Sequence, residues 1–302
     1  MINSFAAHWL DQLDRMARES DKKTYLLIDG VFLDDAPSFI RQWPVPIEPQ
    51  CALFYERSNA NAAVLAASPW LLPYLSEPNQ IDRLLAQCDA LPAVICIRSH
   101  DDTPTLLSRL KRWTIVSCGD MQFNFRFTDT RRLPAIHRTL TLKQKLNLFG
   151  EHDKWTFVNR RGQWEHLEPL DEDVSQTIAK SQWEELRIPE LNDDQFAVLL
   201  NDSEPDEIVA AIWAELPEGC VTRTTSSPAD IYDYAQLALK HAARAGWVAT
   251  PDRMTICRWL LEQDALERLT LLQDIERRTP DQTVEDALQN LEAASYMASR
   301  YA

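Results

Sequence analysis

The apolar positions of the first 170 residues fall into short runs that switch between two periods. Ile2, Phe5, Trp9, Leu13 and Met16 recur at helical spacing and predict an amphipathic helix at the start. "TYLLIDG", from Thr24, is apolar almost throughout and reads as a buried strand closed by Asp29-Gly30. "CALFY", from Cys51, reads as another strand. "SPWLLPYL" is extended, because Pro69 and Pro73 forbid a regular helix there. "QIDRLLAQC" predicts a helix, "AVICIRS" a strand and "TLLSRLKR" a helix. "WTIVSC" and "MQFNFRFT" form a hairpin across Gly119-Asp120. "TLKQKLNLFG" is a short helix stopped by Gly150, and "WTFVNRRGQWEHL" a second hairpin turning at Arg161-Gly162. Together these predict an α/β or α+β lobe over residues 1–170 with one mixed sheet.

From about Asp171 the texture changes. Helix starts recur as a polar cap followed by proline at the first helical position, where a missing N–H costs nothing. Ser227-Pro228, Thr250-Pro251 and Thr279-Pro280 have this form, the last with Gln282 placed for a capping box. Further starts fall at Asn192 and around Pro205. Residues 171–302 therefore read as an all-helical lobe of about five helices. No internal repeat is evident.

Composition narrows the function classes. The chain has 302 residues and 45% hydrophobic content, enough for two cores. No apolar run spans a bilayer, and the first residues lack the basic and cleavage regions of a signal peptide, so a cytoplasmic protein is expected. Cys51, Cys88, Cys96, Cys118, Cys220 and Cys257 are scattered without a CxxC pair and read as free thiols, mostly buried. The six glycines form no phosphate-cradling motif, which argues against nucleotide-binding enzymes and against any cofactor. Residues 1–170 carry 20 acidic and 20 basic side chains, whereas residues 171–302 carry 26 and 11. The whole net charge of −15 thus belongs to the second lobe. Such a lobe repels nucleic acid and anionic lipid, and suits either solubility or a basic protein partner.

Two clusters invite a chemical reading. "RSHDD", Arg98 to Asp102, sets His100 beside Asp101 and Asp102 at a strand end. Adjacent side chains diverge, so a structural role is the better reading and a hydrolase the weaker alternative. No GxSxG or HExxH accompanies them, and the histidines show no metal-ligand spacing. Trp155 and Trp164 flank a hairpin and read as cross-strand packing. In "FNFRFTDTRRL" the second cluster appears. Phe123, Phe125 and Phe127 share one strand face, Arg126 lies opposite, and Asp129 meets Arg131 and Arg132 at the end. One carboxylate among three arginines is held ionised. That makes it a poor acid–base catalyst and a good corner lock.

This motif, with "YLLIDG", "SPWLLPYL", "LLSRLKRWTIV", "KLNLFG" and the later "HAARAGWVATPDRM", resembles the adaptor chaperones of bacterial type VI secretion systems. These small cytoplasmic proteins were long catalogued as a domain of unknown function. The likeness runs along nearly the whole chain through the order of the motifs. One departure stands out: where the family continues with Tyr-Asp-Pro, this chain has Thr128-Asp129-Thr130. The resemblance implies a non-enzymatic role. Such an adaptor binds a secreted toxic effector and helps load it onto the spike protein of the secretion tube.

The helical lobe has more apolar faces than a simple bundle needs, with Trp213, Tyr232, Tyr234, Trp247 and Trp259 as candidate partner-binding aromatics. A second binding class, an immunity protein that neutralises a basic toxin, fits the same acidity.

Overall fold

The computed structural model describes the chain except residues 1, 20, 59–60, 76–79, 171–187, 216–225, 262–271, 273–274, 276–281 and 302. Two compact units divide it, Met1–Asp202 and Ser203–Ala302.

The first unit is α+β. Its helices are α1 (Trp9–Arg18), α2 (Ala36–Arg41), α3 (Tyr55–Ser58), α4 (Ala62–Ala66), α5 (Gln80–Leu85), α6 (Thr103–Arg112), α7 (Leu133–Thr139) and α8 (Leu142–Phe149). Its strands are β1 (Lys23–Asp29), β2 (Pro69–Pro73), β3 (Val94–Ser99), β4 (Ile115–Cys118), β5 (Met121–Asn124), β6 (Lys154–Val158) and β7 (Trp164–His166). Five strands form one sheet in the order β2-β1-β3-β6-β7, and β4 and β5 form a separate hairpin. Every ladder is antiparallel. One isolated parallel bridge joins Ser117 to Glu190.

The large sheet is covered on both faces, which is why its strands read as continuous apolar runs rather than alternating ones. Tyr25, Leu27, Leu71, Ile95, Ile97, Trp155 and Phe157 point to one core, shared with α6, α7 and α8. Leu26, Ile28, Trp70, Leu72, Val94, Cys96 and Val158 point to the other, shared with α1, α2 and α5. Thus Trp155 and Trp164 do not pack across their hairpin as expected. Trp155 stacks edge-on against Phe149, while Trp164 lies on the opposite face beside Trp9.

Three other expectations change. The first helix begins at Trp9, not Ile2, because residues 3–6 pair instead with the β6–β7 turn: Asn3 N–H donates to Arg160 and Ala6 N–H to Gly162. "CALFY" is not a strand; Ala52 makes a single bridge to Trp70 and the chain turns into α3. Moreover, β5 stops at Asn124, so Phe125 and Phe127 reach the core from irregular backbone.

The texture shift suggested a break near residue 170, yet the first unit runs on to Asp202. Ser117 binds Pro189 and Leu191 through its backbone, and Leu191 is buried in the first core. The unit ends in the early turns of helix α9 (Asp193–Glu215), begun by an Asn192–Gln195 capping box. Pro205 lies inside α9 rather than starting a helix of its own.

The second unit holds the remainder of α9 with α10 (Pro228–Arg244), α11 (Thr250–Leu261) and α12 (Val284–Tyr301). Ser227 caps α10 as its sequence predicts. The Thr279-Pro280 start lies outside the described residues; the described α12 is capped by Thr283, whose hydroxyl accepts from Asp286 N–H. Ile208, Ile212, Ile231, Ala238, Ile256 and Leu260 build its core. Every cysteine among the described residues is a free thiol, and all but Cys51 are buried. Cys220 lies outside the described residues.

Candidate functional site

The cluster predicted at Phe125–Arg131 forms at the end of β1. Asp29 closes that strand and caps a 3-10 turn over Gly30–Phe32, its Oδ1 accepting from Val31 N–H at 3.2 Å. Gly30 is needed for close approach, since a Cβ there would strike the carbonyl oxygens of Ala66 and Ser68. Phe32 ends the turn half-buried, packed against the core that holds Leu26 and Ile28. Arg126 lies over the Phe32 ring at 5.2 Å from its centroid and Arg131 at 5.6 Å, both within cation–π range.

Asp29 is the hub, and sequence reasoning missed it. It is 1% exposed, and its Oδ2 accepts from Thr128 Oγ1 at 2.7 Å and from Arg126 Nη2 at 3.1 Å. Burial pushes its carboxyl up, while Arg126, Thr128 and the Val31 N–H pull against that shift. Asp129 holds a separate pair. It accepts from Arg131 Nε at 3.0 Å and Nη2 at 2.7 Å in a fork, and from the Arg131 N–H at 3.0 Å. Arg132 turns elsewhere, its Nη1 donating to the Asp202 carbonyl at 2.7 Å. The expected lock of one carboxylate among three arginines is therefore three separate pairs. Each arginine of the motif has its own acidic partner: Asp29, Asp129 or Asp202.

Phe125 and Phe127 anchor this corner from inside, at 7% and 1% exposure. What reaches the surface is Arg126, with its side chain 45% exposed, and the neighbouring Val31 at 47%. The arrangement presents a cation beside an aromatic ring.

"RSHDD" does not converge. Asp102 caps α6, its Oδ1 accepting from Thr105 N–H at 3.0 Å, and this bonding lowers its pKa. Asp101 faces Arg109 at 3.4 Å, and His100 is exposed. Arg109 also binds Asp153. Among the described residues no group of His, Cys, Asp or Glu is placed to hold a metal ion.

The hollows among the described residues of the first unit include two with mixed polar and apolar walls. One is a groove of about 850 Å³ with Ile47, Cys51, Leu107 and Lys111 in its wall. The other, about 230 Å³, is walled in part by Arg98, His137 and His166. His137 is buried against Phe149, and burial holds it neutral with a pKa lowered to about 4.

The five partner candidates of the helical unit separate by burial. Trp247, Trp259 and Tyr232 are 5%, 8% and 9% exposed and face inward. Trp259 donates its Nε1 proton to Glu292 at 2.7 Å. Trp213 and Tyr234 are half-buried at the rim of the same core. Val248, overlooked in the sequence, stands 75% exposed in the connection before α11.

No helix among the described residues is long and apolar enough to cross a membrane. No curated protein and no solved structure matches the chain. Residues 24–146 match the model of a protein family described as a domain of unknown function, DUF4123. The matched stretch runs from β1 into α8 and takes in Asp29, Phe125, Arg126, Phe127, Asp129 and Arg131.

Proposed function

We propose that this chain is a non-enzymatic, cytoplasmic adaptor that binds a type VI secretion effector and assists its loading onto the spike protein. One observation carries the reading. The matched stretch contains Asp29, Phe32, Arg126, Asp129 and Arg131, and these form satisfied ion pairs around a half-exposed arginine that lies on a half-buried aromatic ring. DUF4123 is the domain of unknown function associated with such effector-loading adaptors. In this reading the first unit carries the family-wide role. The acidic helical unit supplies cargo selectivity, with Trp213 and Tyr234 the aromatics placed at its core's rim.

Deleting the gene and comparing the culture supernatant with that of the parent tests this. Loss of one effector, with the tube protein still exported, is the expected result. Unchanged effector export, or an equal loss of all secreted proteins, overturns it. Self-intoxication of the deletion strain, relieved when the toxin's catalytic residue is removed, would assign the immunity role instead.

A further inference from the structure

The β4–β5 hairpin has one closed edge and one open edge. Ser117 N–H donates to the Pro189 carbonyl at 2.9 Å, and Leu191 N–H donates to the Ser117 carbonyl at 2.8 Å. The backbone groups of Ser117 therefore point away from β5, and its partner across the ladder, Gln122, is a non-hydrogen-bonded pair. By the same alternation the N–H and C=O of Gln122 and of Asn124 point outward, away from β4. No hydrogen bond from another described residue meets them, and both residues are exposed. Residues 189–191 thus cover the β4 side only.

This edge also lacks the usual protection. Met121-Gln122-Phe123-Asn124 contains no lysine and no proline, the residues that normally blunt an exposed strand. Met121 is 58% exposed; among the described large apolar side chains only Val248 is more so. Two-residue alternation puts Met121 on the same face as Phe123, which stacks on Phe196 with ring centroids 5.0 Å apart. Carboxylates gather at the turn end of the hairpin. Asp120 is in the turn, Glu190 bridges Ser117, and Asp193 Oδ1 is 3.5 Å from Cys118 Sγ. All three are exposed. Asp193 also suits the first turn of α9 through the helix dipole.

We propose that the β5 edge takes up an extended segment of a partner polypeptide as an added strand. Its alternate apolar side chains pack on Met121, Phe123 and Phe196, and a basic residue lies beside the turn. Backbone pairing supplies the attachment, the apolar face fixes the register, and the carboxylates select the sign of the flanking charge. The effector reading of the preceding section supplies the natural source of the segment. The pairing itself stands without it.

The test uses the full-length protein and short synthetic peptides that alternate valine and threonine, with lysines at one end or glutamates in their place. The lysine peptide should slow hydrogen exchange at the Gln122 and Asn124 amides. The glutamate peptide should bind at least about tenfold more weakly at low salt. Gln122→Pro removes an outward donor that β4 does not use, and an edge strand tolerates it. It should abolish binding, whereas Gln122→Ala should bind like the parent because the backbone is what is recognised. Should Gln122→Pro melt early, Met121→Asp replaces it and should weaken binding. Protection appearing elsewhere, equal loss in both Gln122 variants, or a mass that shows two copies paired edge to edge would each overturn the proposal. In cells, gene deletion without effect on export sinks the adaptor reading but leaves the peptide result standing. A folded Gln122→Pro variant that exports like the parent, where deletion abolishes export, sinks the edge as the cargo contact.

Discussion

Arg126 pairs with Asp29, 97 positions earlier in the chain, and not with Asp129, three positions later. Asp129 is already filled by the fork of Arg131. The carboxylate that needs Arg126 is the nearly inaccessible one at the end of β1.

Arg126→Ala should cost about 1–3 kcal/mol at pH 7, because it strips a charge-assisted bond from a buried carboxylate that keeps only Thr128 and Val31. The half-exposed arginine makes the lower part of that range the better guide. Asp29 has a raised folded pKa, so the folded state holds its proton more tightly than the unfolded one. Its contribution to stability is present at low pH and fades as pH climbs through the raised value. The cost of Arg126→Ala should therefore shrink on acidification, since a protonated carboxyl no longer needs the cation. Denaturant melts of parent and variant at pH 7 and in acid decide the point; an equal cost throughout would mean that Arg126 serves some other group. Normal melting with lost partner binding would make the motif a contact surface instead.

His137 works with the opposite sign. Its pKa is lowered to about 4 by burial, so the unfolded state binds the proton more readily. Stability should rise with pH between about 4 and 6.5 and be lost as pH falls through that window, by on the order of 2–3 kcal/mol. His137→Gln should flatten this slope. A parent and variant with the same pH dependence would assign the acid sensitivity to other groups.

Asp102→Ala should lower the melting temperature through the lost cap of α6. His100→Ala should change stability by less than about 0.5 kcal/mol and leave effector export intact. A folded His100→Ala protein without function would revive a chemical role for this corner.

Gly30→Ala should cost about 1–3 kcal/mol, because the added methyl meets two backbone carbonyls that have no rotamer to yield. Calorimetry on the variant measures it. A melting temperature equal to the parent's would show that the β1 turn has room to shift.

Much of the fold was legible from the chain. Buried strands announced themselves as unbroken apolar runs, hairpins through Gly119 and Gly162, and helix starts through Asn192, Thr141 and Ser227. What escaped had physical reasons. "CALFY" has the composition of a strand, but only Ala52 finds a pairing partner, and the apolar side chains satisfy themselves by burial. Pro205 looked like a helix start, yet the apolar stripe of Ile208, Val209 and Ile212 buries in the second core and the helix continues through the proline. Trp155 and Trp164 fell on opposite faces because the register sets Trp164 across from Val158. The site was half visible. The sequence singled out Phe125, Arg126, Phe127, Asp129 and Arg131, whereas Asp29 and Phe32, which the structure brings beside them, were hidden by distance along the chain. The cue available was a lone carboxylate ending the apolar run "YLLID". Aromatic content alone could not separate the inward Trp247 from the half-buried Trp213.

The strand order has a consequence for how the protein is made. β1 lies between β2 and β3, and β3 lies between β1 and β6, so no ladder among these four joins neighbours connected by a tight turn. Each requires closure of a long loop before any pairing rewards it, which is slow. On the ribosome, β1 emerges first and waits for β2 and then for β3, and Asp29 waits longer still for Arg126. Until β2 and β3 arrive, the nascent chain carries an apolar strand whose two edges are both open. That interval, rather than the finished fold, is when this chain is most exposed to aggregation and most dependent on holding factors.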